Sequence, residues 1–385
     1  MDLSLLINIL SWLAFTGIFC MTVLVVLNAT FATKLGSIAE HTGEKPLVSL
    51  LIPMRDEAEN IPQLLPALLA STYRPLEVII LDDESQDDSS ALVASLIPNA
   101  PFPVKIVRGS PWFESKQLSG KAHACAQLAD LANGEILIFC DADVRPSPSA
   151  VQRTVDILMQ PRSRELTSGL SALPAQSCRG LLERLLIPWI MHLPLLMSLP
   201  LFCSWRLPLQ SMQMANGQWV ALFKQDYFKS GGHRRLGMTP LEDVALARQI
   251  HRVTGRGVQP VLSASHIHVS MYPDWRATLA GFSKNLVAIG GGTPLAFACI
   301  IVSVNVVFLF PIWGYFVHPD LAVISLSLLA LSRILAARCF RMPLRDLLLH
   351  PFSLLLLNIA AYQALKTSLR GRYEWKGRVA KWSPT

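Results

Sequence analysis

Glu77-Val78-Ile79-Ile80-Leu81-Asp82-Asp83-Glu84-Ser85 is a short apolar run that breaks off into three carboxylates. Leu47-Val48-Ser49-Leu50-Leu51-Ile52-Pro53 is built alike and is followed by Met54-Arg55-Asp56-Glu57. Such runs are too short for helices and too continuous for strands with one wetted face, so they predict strands covered on both sides. Glu57–Ala70 and Asp87–Leu96 have helical spacing, and Val104–Val107 is a third apolar run. The Ala-rich Gly120–Ala132 is a further helix and Glu135–Cys140 a fourth strand. Strand and helix alternating in this way predict a doubly wound α/β domain around a mainly parallel sheet. In such sheets ligands lie beyond the carboxyl ends of the strands, which is where the carboxylates fall.

The bulk numbers point to a second component. Of 385 residues 51% are hydrophobic and 16% charged, with mean hydropathy +0.39. An ordinary soluble domain has about 25% charged residues. A disordered chain, a collagen-like repeat and a small disulfide scaffold are all excluded. Seven cysteines are scattered singly with no Cys-x-x-Cys pair, which argues against a disulfide framework or a structural zinc site and for a reducing compartment. The net charge of +7 is not gathered into a basic run with interleaved aromatics, so no nucleic-acid partner is expected.

Membrane segments account for the excess. Leu3–Leu27 is apolar, lacks Lys and Arg, and reads as a span within an N-terminal segment 1–30. A signal peptide fits less well, because no cation precedes the run and no small-x-small site follows it. Lys34 is the first cation, which puts the following domain, residues 46–270, in the cytoplasm. Asn28-Ala29-Thr30 is a glycosylation sequon too close to the membrane to serve. Within the domain, residues 181–202 are apolar but broken by Pro188, Pro194 and Pro200, which reads as an interfacial or re-entrant segment. Residues 271–293 form an amphipathic linker. Leu295–Val317, Leu321–Ala337 and Leu347–Leu365 are span candidates within 294–366, followed by a basic tail, 367–385. Arg338, Arg341 and Arg345 and the cations of the tail both call for the cytoplasmic side, so one of the three segments would not cross. The chain is expected to be a multi-pass cell-membrane protein.

Four acidic sites follow the strands or lie further on: Arg55-Asp56-Glu57, Asp82-Asp83-Glu84, Asp141-Ala142-Asp143 and Glu242-Asp243. Singly each reads as a turn or a helix cap. Together they suit a hard divalent cation, Mg²⁺ or Mn²⁺, whose remaining ligands are phosphate oxygens. A carboxylate about a hundred residues further on, Asp243, would be a general base for an attacking hydroxyl.

These motifs carry a family resemblance. The runs from Val48 to Ile61 and from Glu77 to Ser85 resemble family 2 glycosyltransferases of the GT-A fold. So do Gly120-Lys121-Ala122, Ala132-Asn133-Gly134-Glu135, Asp141-Ala142-Asp143, Asn216-Gly217-Gln218, Gly231-Gly232-His233 and Leu241-Glu242-Asp243, in that order. The resemblance implies an inverting transfer of a hexose, glucose by preference, from a nucleotide-sugar donor, UDP-sugar by preference. Pro53, Arg55, Glu57, Asp82, Asp83, Lys121 and Asp141 would bind that donor, with Asp82 and Asp83 at the base and ribose. Asp143, with Asp141, would hold the metal, and Asp243 would be the base with Glu242 beside it. Gly217, Gln218, Trp275 and Lys284 would face the acceptor. Processive synthases of the family carry Gln-x-x-Arg-Trp, whereas this chain has Trp275-Arg276, which favours transfer of a single sugar. Met271-Tyr272, Gly281-Phe282-Ser283-Lys284-Asn285 and Glu374-Trp375-Lys376-Gly377-Arg378 resemble the branch that glucosylates hydroxylated carotenoids. The acceptor would then be a lipid-like hydroxyl compound reaching Asp243 from the membrane. A polyprenyl phosphate, a glycolipid or a growing polysaccharide is the alternative acceptor, and a non-catalytic membrane scaffold the alternative of another class. His266-Ile267-His268 reads as structural or as a substrate edge, since no third ligand lies near it in the sequence, and one of the two could complete the metal or diphosphate site.

Overall fold

The structure is a computed structural model that describes the chain except residues 1–2, 114–117, 179, 273, 370–371, 376–377 and 382–385. Helix α1 is Leu3–Phe31. Then come β1 (Val48–Met54), α2 (Ile61–Leu69), β2 (Leu76–Asp82), α3 (Ser89–Leu96), β3 (Val104–Arg108), α4 (Gly120–Leu131) and β4 (Ile136–Cys140). The second half of the domain holds β5 (Val144–Pro146), α5 (Ala150–Leu158), α6 (Pro161–Leu166), β6 (Thr167–Leu173), β7 (Ala175–Gln176), α7 (Leu181–Ile187) and α8 (Leu193–Ser198). It continues with β8 (Trp219–Phe223), α9 (Lys224–Ser230), α10 (Glu242–Thr254), β9 (Gly257–Leu262) and β10 (Ile267–Val269). Helices α11 (Trp275–Ile289), α12 (Pro294–Phe308), α13 (Phe310–Trp313), α14 (Pro319–Cys339) and α15 (His350–Ser368) follow.

The main sheet has the order β3-β2-β1-β4-β8-β6-β9. Strands β1 to β4 are mutually parallel, β8 runs against β4 and β6, and β9 runs with β6. The sheet is therefore mainly parallel, as the apolar runs require. Successive residues point to opposite faces. Leu50, Ile52, Val78, Ile80 and Ile138 enter a core with Leu64, Leu68 and Val155. Leu51, Ile79, Leu81, Leu137 and Phe139 enter the opposite core with Leu128 and Ile250. Asn133-Gly134 belongs to the far edge of the sheet. A Cβ on Gly134 would stand 2.5 Å from Ser49 N, so that motif is a close backbone contact and not part of a site.

A third core unites the apolar helices with the domain. Ile18 and Val25 of α1 share it with Trp189, Leu196, Phe282, Leu286, Phe308 and Leu329. Residues 33–35 bind α1 to the sheet edge, through Leu262 N to Thr33 O at 2.9 Å and Leu35 N to Leu262 O at 2.8 Å. Among the described residues three helical stretches are long and apolar enough to cross a membrane: Leu3–Phe31, Leu181–Ser198 and Pro319–Cys339. The pair Pro294–Phe308 and Phe310–Phe316, bent by 43°, qualifies as a broken span.

Asn28 shows how α1 is fixed. Its amide donates to Leu196 O at 2.9 Å and Leu199 O at 2.8 Å, and its Oδ1 accepts from Leu201 N at 2.8 Å. Its side chain is fully buried and spent on these bonds, so it is no glycosylation acceptor. Asn28→Ala strands two carbonyls and one N–H in an apolar core and should cost about 2–4 kcal/mol. Thermal unfolding of the detergent-solubilised protein checks this, and an unchanged Tm would contradict it.

Candidate active site

Strands β1 to β4 end on one edge, and β8, running the other way, begins there. Asp141 N donates to Gln218 O at 3.1 Å and joins the end of β4 to the approach to β8. Ser119 caps α4 by accepting from Ala122 N at 3.2 Å, and this sets Lys121 in the first turn. A cation there is opposed by the helix dipole unless carboxylates answer it. Asp141 does so at 2.6 and 2.8 Å, and Glu242 Oε1 lies at 3.6 Å. These two carboxylates raise the Lys121 ammonium well above its ordinary pKa against the effect of burial.

Glu242 and Asp243 open α10, where its dipole favours acidic groups. Asp243 Oδ2 accepts from Gly217 N at 2.7 Å and its Oδ1 from Val244 N at 2.8 Å. Gly217 is where the chain passes between acid and base. A Cβ there would stand 3.3 Å from Lys121 Nζ and 3.4 Å from Asp243 Oδ2. Gln218 lies behind, its Oε1 accepting from Gln176 at 2.9 Å and Asn216 at 3.2 Å. Burial pushes Asp243 above the usual carboxylate range. Burial and the neighbouring Asp243 push Glu242 up to about 7 against the pull of Lys121.

Asp143 differs from its neighbours. Its Oδ1 is buried with no hydrogen-bond partner. Burial, then the charges of Asp141 and Glu57, push it up to about 7. An orphaned carboxylate oxygen next to Asp141 fits a divalent cation that draws its other ligands from phosphate and water. Among the described residues no group of three His, Cys, Asp or Glu could hold a metal by itself, so a bound ion would need those outside ligands.

The first two acidic sites are built differently. Arg55 donates to Asp83 O at 2.6 Å and pairs with Asp56 and Glu84 at 3.9 Å. Asp82 accepts from Ser85 N at 2.9 Å and from Ser90 Oγ, which holds it below the ordinary carboxylate range despite burial. Asp83 is fully buried. Pro53, at the end of β1, pairs in register with Leu81. Glu57 accepts from Asn60 at 2.7 Å, and Asn60 in turn accepts from Arg145 at 2.7 Å. A cavity of about 620 Å³ at this edge is lined by Leu81, Glu84, Arg108, Ser110 and Gln127.

Trp275 is not brought to the carboxylates. It stands 45% exposed at the start of α11 with Arg276 over its ring at 5.4 Å. The side chains of Lys284 and of the motif from Glu374 to Arg378 lie outside the described residues. His266 accepts from or donates to Ser147 and Ser149 at 3.1 and 3.3 Å, and His268 is exposed. Tyr272 was not singled out by its sequence position as a site residue, yet its hydroxyl lies within the field of Asp143. Its ring meets Phe282 edge-on at 5.6 Å, and Gly281 leaves the space it occupies. It thus stands where the carboxylate edge meets the helix core.

Comparisons with known proteins bear on the family and the fold. Residues 49–164 match the model for Glycosyl transferase family 2. A 4,4'-diaponeurosporenoate glycosyltransferase from Staphylococcus haemolyticus is 28% identical over 126 residues, 33% of this chain and 31% of that protein. An undecaprenyl-phosphate 4-deoxy-4-formamido-L-arabinose transferase from Sodalis glossinidius is 25% identical over 118 residues, 29% of this chain and 34% of that protein. The matched part is thus about a third of each relative's own length. A mannosyltransferase from Pyrobaculum calidifontis, solved with GDP-Man and Mn²⁺, superposes with a TM-score of 0.51 at 17% identity, over 94% of this chain and 99% of that one. At that identity the likeness establishes the fold. The chain carries a family 2 glycosyl transferase domain on a GT-A fold.

Proposed function

We propose that this chain is a membrane-bound, metal-dependent, inverting glycosyltransferase. It moves a hexose, glucose by preference, from a nucleotide-sugar, UDP-sugar by preference, to a hydroxyl of a lipid-like acceptor such as a hydroxylated carotenoid. The observation that carries this reading is the convergence of Lys121, Asp141 and Asp243 on Gly217, beside an Asp143 oxygen with no partner. Named relatives that act on diaponeurosporenoate and on undecaprenyl phosphate support an apolar acceptor.

Asp143 and Asp141 would hold Mg²⁺ or Mn²⁺, which supplies counter-charge to a diphosphate leaving group. Lys121 exchanges Asp141 for the diphosphate oxygens and binds them as a point charge. The nucleoside lies along Asp82 and Asp83 towards the neighbouring cavity. Asp243, oriented by Gly217 N and Val244 N, takes the acceptor proton while the hydroxyl attacks the anomeric carbon from the face opposite the diphosphate. Tyr272 lines the path from the helix core to the site. The Arg341 charge reaches His266 and His268, which supports a reading with the end of α14 on the catalytic side of the membrane. The cations that follow it support a cytoplasmic catalytic side.

Asp243→Asn keeps the shape and one backbone bond but removes the base, so transfer should fall by about 10²–10⁴-fold. Turnover of UDP-glucose with a hydroxylated carotenoid measures it, and unchanged kcat would reject the assignment. The base works ionised and burial raises its pKa. The acid limb of kcat/KM should therefore lie above the usual carboxylate range of about 4. Lys121→Met removes the cation that opposes this rise, so the limb should move to still higher pH. A limb that stays in place would contradict the coupling.

A further inference from the structure

Helix α14 carries an arginine inside its apolar run. Arg333 lies six residues before Cys339, roughly 9 Å along the helix from its end at a rise of ~1.5 Å per residue. It is 6% exposed, and its Nη1 is buried with no hydrogen-bond partner. A guanidinium cannot escape burial by losing its proton, so an unanswered charge here is strongly unfavourable. Within a membrane segment such a residue marks a place where something polar is handled.

The surroundings define what that is. Residues Pro188–His192 form a π turn between α7 and α8 that lies along α14. The Arg333 guanidinium faces the Trp189 ring, 6.0 Å from its centroid. One turn on, the His192 ring stacks on Phe340 at 3.9 Å and 14°. Phe340 lies two helical turns beyond Arg333 on the same face, with the small Ala336 and Ala337 between them. His192 Nδ1 meets Met342 Sδ at 3.3 Å, while its Nε2 is buried with no partner. The carboxylate whose field reaches Arg333 is Asp346. It is already held by both Nε, at 2.9 Å, and Nη2 of Arg184. Glu183 is spent on capping, accepting from Gly180 N at 3.0 Å. This seam thus holds two buried polar atoms without a hydrogen-bond partner, Arg333 Nη1 and His192 Nε2, beside the rings of Trp189 and Phe340.

We propose that Arg333 and His192 form a binding site for the anionic end of an apolar chain, a phosphate or a carboxylate, entering from the bilayer between the α7–α8 segment and α14. The guanidinium matches such oxyanions, and Trp189 and Phe340 cover the first carbons of the chain. The role of the site rests on the transferase reading above: its occupant is an acidic acceptor or an acidic phospholipid held beside the acceptor path. The binding itself can be read without any transfer.

The test uses the full chain in phosphatidylcholine nanodiscs, with geranylgeranyl phosphate and geranylgeraniol as matched probes. The phosphate should bind at least about tenfold more tightly than the alcohol, the size of one charge-assisted contact. Arg333→Met should abolish that preference, Arg333→Lys should keep part of it, and UDP binding with Mn²⁺ should be unchanged in both. His192→Phe keeps the stacking and should reduce the preference, which guards against a misfolded Arg333 variant. Phosphatidylglycerol in the disc either weakens the phosphate probe, which identifies bilayer lipid as the occupant, or leaves it unchanged, which identifies the acceptor's own acid group. Equal affinity for phosphate and alcohol in the wild type, or a preference that survives Arg333→Met, overturns the proposal. Lack of sugar transfer with an intact preference would instead sink the transferase reading alone.

Discussion

One ammonium group holds the edge of the sheet together. Lys121 pairs with Asp141 at 2.6 Å and stands 3.6 Å from Glu242, with Asp243 just beyond. Without it, Glu242 and Asp243 would face Asp141 across a largely buried space. Burial already raises Glu242 and Asp243, and losing the cation would push both further towards their neutral forms. The cap on α4, the absent side chain at Gly217 and the acidic first turn of α10 all serve this meeting point. On the proposed function, this shortage of positive charge and the unanswered Asp143 oxygen suit a cation and an anion arriving together.

The same domain is continuous with the apolar helices. Residues 33–35 extend the sheet edge, and Asn28 fastens α1 to the turn after α8. Tyr272 and Phe282 carry the contact from the carboxylate edge into the third core. Hydrogen bonds deep among the helices, such as Ser332 Oγ to Thr22 Oγ1 at 3.0 Å and the reciprocal Asn305–Asn358 pair at 2.9 Å, hold the bundle where apolar contact alone gives little direction. The segment from Tyr272 to Phe282 is therefore a packed wall rather than a loose linker.

The first four strands were legible because burial on both faces makes each a plain apolar run. Strand β6, Thr-Ser-Gly-Leu-Ser-Ala-Leu, and β9, which contains Pro260, lack that signature, and their places depend on long-range pairing. The antiparallel insertion of β8 left no local mark either. Helix α2 begins at Ile61 and not at Glu57, because Asp56 takes φ +50° and the intervening residues form a turn. In the site, Lys121, Asp141, Asp143, Gly217 and Asp243 were readable from their order and chemistry, and the fold gathers them. Trp275, expected at the acceptor from the family resemblance, is 45% exposed at the start of α11. Tyr272 and Arg333 acquire meaning only from packing between segments far apart in sequence.

The central claim is that the carboxylate edge takes a divalent cation and a nucleoside diphosphate as a unit. Calorimetric titration of the purified chain with UDP, in the presence and absence of Mn²⁺, tests it most directly, with Asp143→Ala titrated alongside. The account predicts that wild-type binding strengthens markedly with Mn²⁺ and that Asp143→Ala loses this gain. Equal affinity with and without the metal, or a gain that persists in Asp143→Ala, would contradict it.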